Sequence, residues 1–232
     1  MEQKNRDANV DLIALLKNSA IPPEQLQPIY DRHGVDVAEG AEVLANEICL
    51  DGSNTLASIL RGRKGVSYDE VVRDVAQKLE VPFDEGESET SLELRILEKL
   101  IGGYLEKATP KQRAEMEVVL KEGAADSGNS MDLGQIAAGD LKTLVNQLGT
   151  KAAADTVNKI LAFIITGQAI RQSVKQAARL AGFAVPLLNI TLIGWTLLDI
   201  TGPAFRKTVP TVVEIARLRL EYGQANYENR GE

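Results

Sequence analysis

Hydrophobic positions recur at helical spacing along two segments of the N-terminal half. Apolar residues behind Ser67 follow the i, i+3, i+4, i+7 pattern of an amphipathic helix: Tyr68, Val71, Val72, Val75, Ala76 and Leu79. A second apolar face follows Thr90: Leu92, Ile96, Leu97, Leu100 and Tyr104. Both segments start with a capping-box signature, and a third signature stands further on: Ser67–Glu70, Thr90–Glu93 and Thr109–Gln112. The pattern therefore predicts three consecutive helices.

Shorter helical segments lie on either side of these three. The expected ranges are Asn9–Lys17, Pro23–Tyr30, Asp36–Cys49 and Val209–Tyr222. The third of these is expected to end at an Asp51-Gly52 turn, and Asn54 is a suitable cap for a short helix that ends near Arg61-Gly62. Strand patterns are sparse, so the predicted fold class is all-α, a multi-helix bundle.

A small, polar stretch from Gly123 to Met131 divides two regions of different character. It predicts a linker between an acidic helical domain, residues 1–122, and an apolar, net-basic helical domain, residues 132–232. Residues 1–150 have a net charge of −11, whereas residues 151–232 have a net charge of +4. Such asymmetry is typical of a chain that meets an anionic surface or partner.

The apolar C-terminal region is expected to form a helical hairpin. Residues from Leu180 to Leu198 carry no charge over 19 positions, and Ile160 to Ile170 form a second uncharged run. A helix needs roughly 20 apolar residues to cross a bilayer. The length of the first run just suffices, although Pro186 and Asn189 interrupt it. Three interpretations stay open: a hairpin buried in a bundle, peripheral or conditional membrane association, and constitutive spanning.

Basic residues recur on one helical face between the two apolar runs. Arg171, Lys175 and Arg179 are spaced i, i+4, i+8, which suits contact with anionic lipid headgroups or a solvated bundle face. Trp195 is expected in core packing or at an interface. Arg206 and Lys207 follow the second apolar run, and we expect a cation there to pair with Asp74 or Glu70.

Composition narrows the classes of function. A net charge of −7 and 4% aromatic residues argue against nucleic-acid binding. Cys49 is the single cysteine, so no internal disulfide is possible, and the polar N-terminus does not resemble a signal peptide. A cytoplasmic protein is therefore expected, with any membrane contact at the inner face of the cytoplasmic membrane.

Candidate catalytic and metal-binding residues are few. His33 is the single histidine, so histidine-rich zinc sites are excluded, and its position before Gly34 predicts the end of a helix. Cys49 lies in an apolar helical context that predicts inert burial. No cofactor is expected. Glu70 and Asp74 share a helix face, and a carboxylate enzyme built on them is one hypothesis beside a solvated face.

Two segments resemble a family of uncharacterised bacterial proteins, the YaaW-like family. The segments are EICLDGSNTLASILRGRKGVSYDEVVRDVAQKLEV, residues 47–81, and IGWTLLDITGPAFRKTVPTVVEIARLR, residues 193–219. The resemblance implies a helical fold in a bacterial, intracellular setting and brings no activity with it. It singles out these motif positions as mainly structural: Asn54, Arg61, Gly62, Tyr68, Glu70, Asp74, Trp195, Gly202, Pro203, Arg206 and Pro210.

These observations favour a non-enzymatic helical protein with a membrane-associating C-terminal hairpin, in a stress, defence or toxin-like role. Its partners would be an anionic membrane surface and a protein partner. The alternative is a soluble helical interaction or chaperone-like module, whose hairpin is core or a homo-oligomer interface.

Overall fold

The structure of the 232-residue chain, a computed structural model, describes residues 9–53, 66–125, 141, 153–158, 160–161 and 204–223. The named helices are α1 Val10–Leu16, α2 Pro23–His33, α3 Ala41–Ser53, α4 Tyr68–Lys78, α5 Glu89–Lys107, α6 Pro110–Ala125 and α7 Phe205–Tyr222, with a 3-10 turn at Val37–Glu39. No strand occurs within these ranges, and the predicted all-α fold class is confirmed. Apart from Ile160 and Leu161, the apolar runs of the predicted hairpin lie outside the described residues.

The chain divides into two compact units. Residues 1–96 and 199–216 form the first unit, and residues 97–198 and 217–232 form the second. The predicted domains, 1–122 and 132–232, stay a prediction. Within the predicted linker, residues 123–125 belong to α6, and residues 126–131 lie outside the described residues.

Two of the three predicted capping boxes are confirmed. At the start of α4, Ser67 Oγ accepts from the Glu70 N–H at 3.3 Å, and Glu70 Oε2 accepts from the Ser67 N–H at 3.0 Å. The Thr109–Gln112 pair at α6 makes the same reciprocal bonds at 3.3 and 2.9 Å. Each bond satisfies an amide that the first helical turn leaves without a partner.

The third capping prediction is wrong, because the side chain of Glu93 has a tertiary partner. Helix α5 already starts at Glu89, and Ser88 Oγ accepts from the Ser91 N–H at 3.3 Å. Glu93 is fully buried and accepts a hydrogen bond from the Tyr68 hydroxyl at 2.9 Å. A carboxylate in that position cannot reach back to cap the helix.

Helix α3 lies at the centre of the first unit. It contacts α1, α2, the 3-10 turn and α4. Its residues Leu44, Ala45 and Ile48 have no exposed surface. Asn9 ties the start of the described chain to this core, because its buried amide donates to Cys49 Sγ at 3.3 Å and accepts from the Tyr68 N–H at 2.9 Å.

Helix α3 runs through the predicted Asp51-Gly52 turn and ends at Ser53, so that turn prediction is wrong. Gly52 is present for close packing and not for a turn. A Cβ at this position would lie 2.5 Å from Val71 Cγ2 and 3.4 Å from Val66 Cγ2. The glycine therefore lets α3 approach α4 more closely than any other residue would allow.

We expect Gly52→Ala to lower the free energy of unfolding by about 2 kcal/mol, because the β-branched Val71 side chain cannot move aside without strain. Urea denaturation followed by circular dichroism measures the change. The double variant Gly52→Ala/Val71→Ala should recover part of that loss, because the second substitution removes the clashing methyl groups. A Gly52→Ala variant as stable as the wild type would contradict this account of the glycine.

Candidate functional site

Six polar side chains lie together in the first unit, where α2 and α3 meet α7. We call them the polar cluster: Arg32 and His33 from α2, Asp51 from α3, and Lys207, Thr211 and Glu214 from α7. The same three helices also carry buried apolar side chains, among them Ile29, Ile48 and Val212. Three of the six, His33, Thr211 and Glu214, are buried, which is uncommon for polar residues.

The helices fix the positions of these six side chains. Lys207, Thr211 and Glu214 are spaced i, i+4, i+7 and therefore lie on one face of α7. Arg32 and His33 occupy the last turn of α2, which stops at Gly34 in the left-handed conformation at φ 68°. The Val35 N–H bonds back to the Tyr30 carbonyl at 3.1 Å and closes that end.

The strongest contact of the polar cluster joins Arg32 to Glu214. Arg32 donates to both carboxylate oxygens, from Nη1 to Oε2 at 2.7 Å and from Nη2 to Oε1 at 3.0 Å. Only 2% of the Glu214 side chain and 13% of the Arg32 side chain are exposed. A two-pronged, charge-assisted contact of this kind fixes both the distance and the orientation of α7 relative to α2.

His33 bridges two helices from a completely buried side chain. Its Nδ1 lies 2.7 Å from Asp51 Oδ2, and its Nε2 lies 2.8 Å from Thr211 Oγ1. Burial lowers the pKa of His33 from 6.5 to about 4, in spite of the opposing effect of Asp51. The ring is therefore neutral at pH 7. In this state Nδ1–H donates to Asp51. Nε2 faces Thr211 Oγ1, whose single hydrogen is donated to the Lys207 carbonyl oxygen at 2.8 Å.

Asp51 is shared between the imidazole and an ammonium group. Lys207 Nζ donates to the same Asp51 oxygen at 2.9 Å, while 43% of the lysine side chain stays exposed. With Arg32, Lys207, Asp51 and Glu214 ionised and His33 neutral, the formal charge of the polar cluster is balanced. This balance accounts for how so many ionisable groups are accommodated in a core.

The order of carboxylate, imidazole and hydroxyl matches that of a hydrolytic triad, but its surroundings differ. Thr211 has no exposed surface. Its hydroxyl donates to the Lys207 carbonyl oxygen at 2.8 Å and accepts from Arg32 Nη1 at 3.3 Å. A hydroxyl that is buried and engaged in this way is not accessible to a substrate carbonyl. The arrangement is built to hold α7 against α2 and α3.

The structure describes two of the six residues predicted to contact lipid or a protein partner. Arg171, Lys175, Arg179 and Trp195 lie outside the described residues. Arg206 is exposed on α7, and Lys207 belongs to the polar cluster. The acceptor predicted for a cation at this turn was Asp74 or Glu70, and the structure instead pairs Lys207 with Asp51.

The predicted motif residues that are described lie mainly within the framework of the first unit. Tyr68 is buried, Glu70 caps α4, Asp74 is half-buried on α4, and Pro210 is buried inside α7. Asn54, Arg61, Gly62, Gly202 and Pro203 lie outside the described residues. In the described part of the chain, no three histidine, cysteine or acidic side chains form a metal-binding group.

Sequence reasoning missed most of the polar cluster. His33 was interpreted only as a residue at a helix end, which it is, and Arg32, Asp51, Thr211 and Glu214 were not singled out. One signal was available: Thr211 and Glu214 interrupt the apolar positions of the final predicted helix and share a face with Lys207. The predicted inert burial of Cys49 is confirmed, and that burial raises the pKa of its thiol to about 12.

Among the helices in the described ranges, none combines the length and the apolar character needed to cross a membrane.

Proteins of Helicobacter pylori that carry the description UPF0174 protein are similar to this chain. One from strain J99 is 34% identical over 205 residues, which cover 87% of this chain and 79% of that protein. One from strain 26695 is 28% identical over 204 residues, which cover 83% of this chain and 93% of that protein. No family model matches the chain, and no solved structure matches it.

Proposed function

Because the chain belongs to the UPF0174 family of bacterial proteins, we propose a function that fits its helical layout: a non-enzymatic protein whose first unit retains α7 and so controls a membrane-associating apolar segment. The segment is the uncharged run from Leu180 to Leu198, which directly precedes α7 in the chain. The observation that carries the proposal is the polar cluster, which attaches α7 to α2 and α3.

The attachment of α7 combines buried apolar side chains, such as Val209 and Val212, with the ionic pairs of the polar cluster, and the ionic part suits a contact that opens. Separation of buried apolar faces exposes them to water, and the cost rises with the area exposed. Separation of the Arg32–Glu214 and Asp51–Lys207 pairs returns charged groups to water, and this hydration offsets much of the lost attraction. The ionic contacts therefore specify one position for α7, and they add less to the free-energy cost of its release than apolar contacts of the same extent would.

The charge pattern supports an anionic membrane as the surface that is engaged. The basic residues Arg171, Lys175 and Arg179 precede the apolar segment, and each cation near such a surface contributes about 1 kcal/mol. We accordingly propose a cytoplasmic protein that acts at the inner face of the cytoplasmic membrane. The resemblance to the YaaW-like family and a stress, defence or toxin-like role stay predictions.

Flotation with lipid vesicles tests this function. Full-length protein is expected to float with phosphatidylglycerol-containing vesicles at low salt, and not with phosphatidylcholine vesicles. Replacement of Arg171, Lys175 and Arg179 together by glutamine should weaken binding about 100-fold, as three cations at about 1 kcal/mol each imply. Asp51→Asn/Lys207→Gln should strengthen binding, because it removes an anchor of α7.

A matched control removes the same charge elsewhere. Lys107, Lys111 and Arg113 are exposed on α5 and α6, and their replacement by glutamine should leave flotation almost unchanged. Protein that stays at the bottom of the gradient at low salt, whichever triplet is replaced, contradicts the proposal. If the protein also forms a stable homo-oligomer that protects residues 180–198 from protease, the alternative function, a soluble interaction module, is supported instead.

A further inference from the structure

The imidazole of His33 occupies the centre of the attachment between α7 and the other two helices. Within the polar cluster it is a second link from α3 to α7 beside the Asp51–Lys207 pair, since one ring nitrogen faces Asp51 and the other faces Thr211. Its side chain is completely buried while these contacts hold. Any change in the charge of the ring therefore acts directly on the contact that retains α7.

Burial of the ring, together with the nearby cations Arg32 and Lys207, lowers the pKa of the imidazole, while Asp51 acts in the opposite direction. Arg32 lies on the same helix, Asp51 faces the ring from α3, and α7 contributes Lys207, Thr211 and Glu214. The two carboxylates are already matched by two cations. A proton on His33 Nε2 adds a positive charge beside Arg32 and Lys207 that the two carboxylates of the polar cluster do not balance.

We propose that the polar cluster is a proton-sensitive latch, in which protonation of His33 releases α7 from α2 and α3. The proposal stands on the geometry of the buried ring and its four charged neighbours. It deepens the proposed function by naming a signal for release. It rests on that function only for the consequence at a membrane, because release itself is an event within the protein.

The direction of the effect follows from linkage. The pKa of His33 is lowered to about 4 when the ring is buried, against 6.5 for a hydrated ring. The released form therefore binds the proton more tightly, and acidification favours release. Stability of the latched form is complete above pH 6.5, declines as the pH falls below that value, and reaches its minimum below pH 4. Between pH 7.5 and pH 5 the equilibrium for release should increase about 30-fold.

The first measurement needs no substitution. His33 is the single histidine of the chain, so one imidazole signal in the NMR spectrum of the wild-type protein reports its titration without ambiguity. The latch requires that this signal stay that of a neutral ring down to about pH 5 in the folded protein. A titration midpoint at pH 6 or above would overturn the proposal, because burial would then exert no penalty on the charged ring.

The second measurement follows α7 itself. Hydrogen exchange detected by mass spectrometry, corrected for the intrinsic effect of pH, should show about 30-fold more opening at residues 205–214 at pH 5 than at pH 7.5. His33→Gln keeps a donor and an acceptor but cannot be protonated, so its α7 amides should show far less dependence on pH. An equal dependence in wild type and His33→Gln, or no dependence in either, contradicts the latch.

A vesicle experiment separates this inference from the proposed function. Wild-type protein should float with phosphatidylglycerol-containing vesicles more completely at pH 5 than at pH 7.5, and His33→Gln should lose that difference. If α7 opens on acidification without any flotation, the latch stands and the membrane function fails. If flotation is strong and independent of pH while α7 stays protected, the membrane function stands and the latch fails.

Discussion

Replacement of Arg32 by methionine is expected to lower the free energy of unfolding by about 3–5 kcal/mol, because it leaves the buried Glu214 carboxylate without its main counter-charge. The two donors that Arg32 provides lie 2.7 and 3.0 Å from the carboxylate oxygens, and 98% of the Glu214 side chain is hidden from solvent by the surrounding helices. Methionine fills much of the arginine volume, so the loss reports charge more than packing. Urea denaturation of the full-length protein measures it.

Two further variants identify the cause of the loss. Arg32→Met/Glu214→Leu should recover most of the stability, because replacement of both members of a buried ion pair by apolar residues is often neutral. The Arg95–Glu87 pair of the same unit is a matched control, because it makes a similar contact at 2.8 Å while the Arg95 side chain is more exposed than that of Arg32. Arg95→Met should therefore cost less than about 1 kcal/mol. An Arg32→Met variant no less stable than Arg95→Met would contradict the importance of the buried pair.

The features that the sequence predicted correctly depend on residues close together in the chain. The reciprocal bonds of Ser67 with Glu70 and of Thr109 with Gln112 need only the geometry of a single helical turn. The spacing of the apolar residues along α4 likewise predicts which face of this helix packs against the core. Such signals survive folding because no distant residue competes for the same groups.

The errors arise where a local signal has a tertiary use. Glu93 lies three residues after Thr90, as a capping residue would, but its carboxylate accepts a hydrogen bond from Tyr68, 25 positions away. Gly52 follows Asp51 as in a turn, but the space that it leaves is filled by Val71 of the next described helix. Neither competing partner can be identified from the neighbouring letters of the sequence.

The polar cluster could not be predicted either, because its contacts join residues that are even further apart in the sequence. His33 and Thr211 are 178 positions apart, and Arg32 and Glu214 are 182 positions apart. Their contact depends on α7 folding back onto the N-terminal helices, and no periodicity within either segment specifies that. The polar residues on one face of α7 indicate that this face has polar partners, but they do not indicate where in the sequence those partners lie.

The second large effect is expected at Tyr68, one of the motif positions singled out by the family resemblance. Tyr68 and Glu93 have no exposed surface, and the tyrosine hydroxyl donates to the carboxylate at 2.9 Å. Tyr68→Phe preserves the ring and its packing but removes one donor from a buried carboxylate. We expect a loss of about 3 kcal/mol in the free energy of unfolding, at the upper end for a hydrogen bond to a charged group.

A double-mutant cycle assigns this loss to the contact between the two side chains. In a Glu93→Gln background, Tyr68→Phe should cost only about 1 kcal/mol, because the acceptor no longer carries a charge. Tyr30 is a control for the loss of a tyrosine hydroxyl, since Tyr30 is a buried residue and the carboxylate that acts on its phenol is the exposed Glu42, and Tyr30→Phe should cost less than about 1 kcal/mol. If Tyr68→Phe costs no more than Tyr30→Phe, the motif tyrosine is needed for its ring alone. A loss that is large and depends on Glu93 means that the motif preserves a buried polar contact between α4 and α5, which no apolar residue at position 68 can replace.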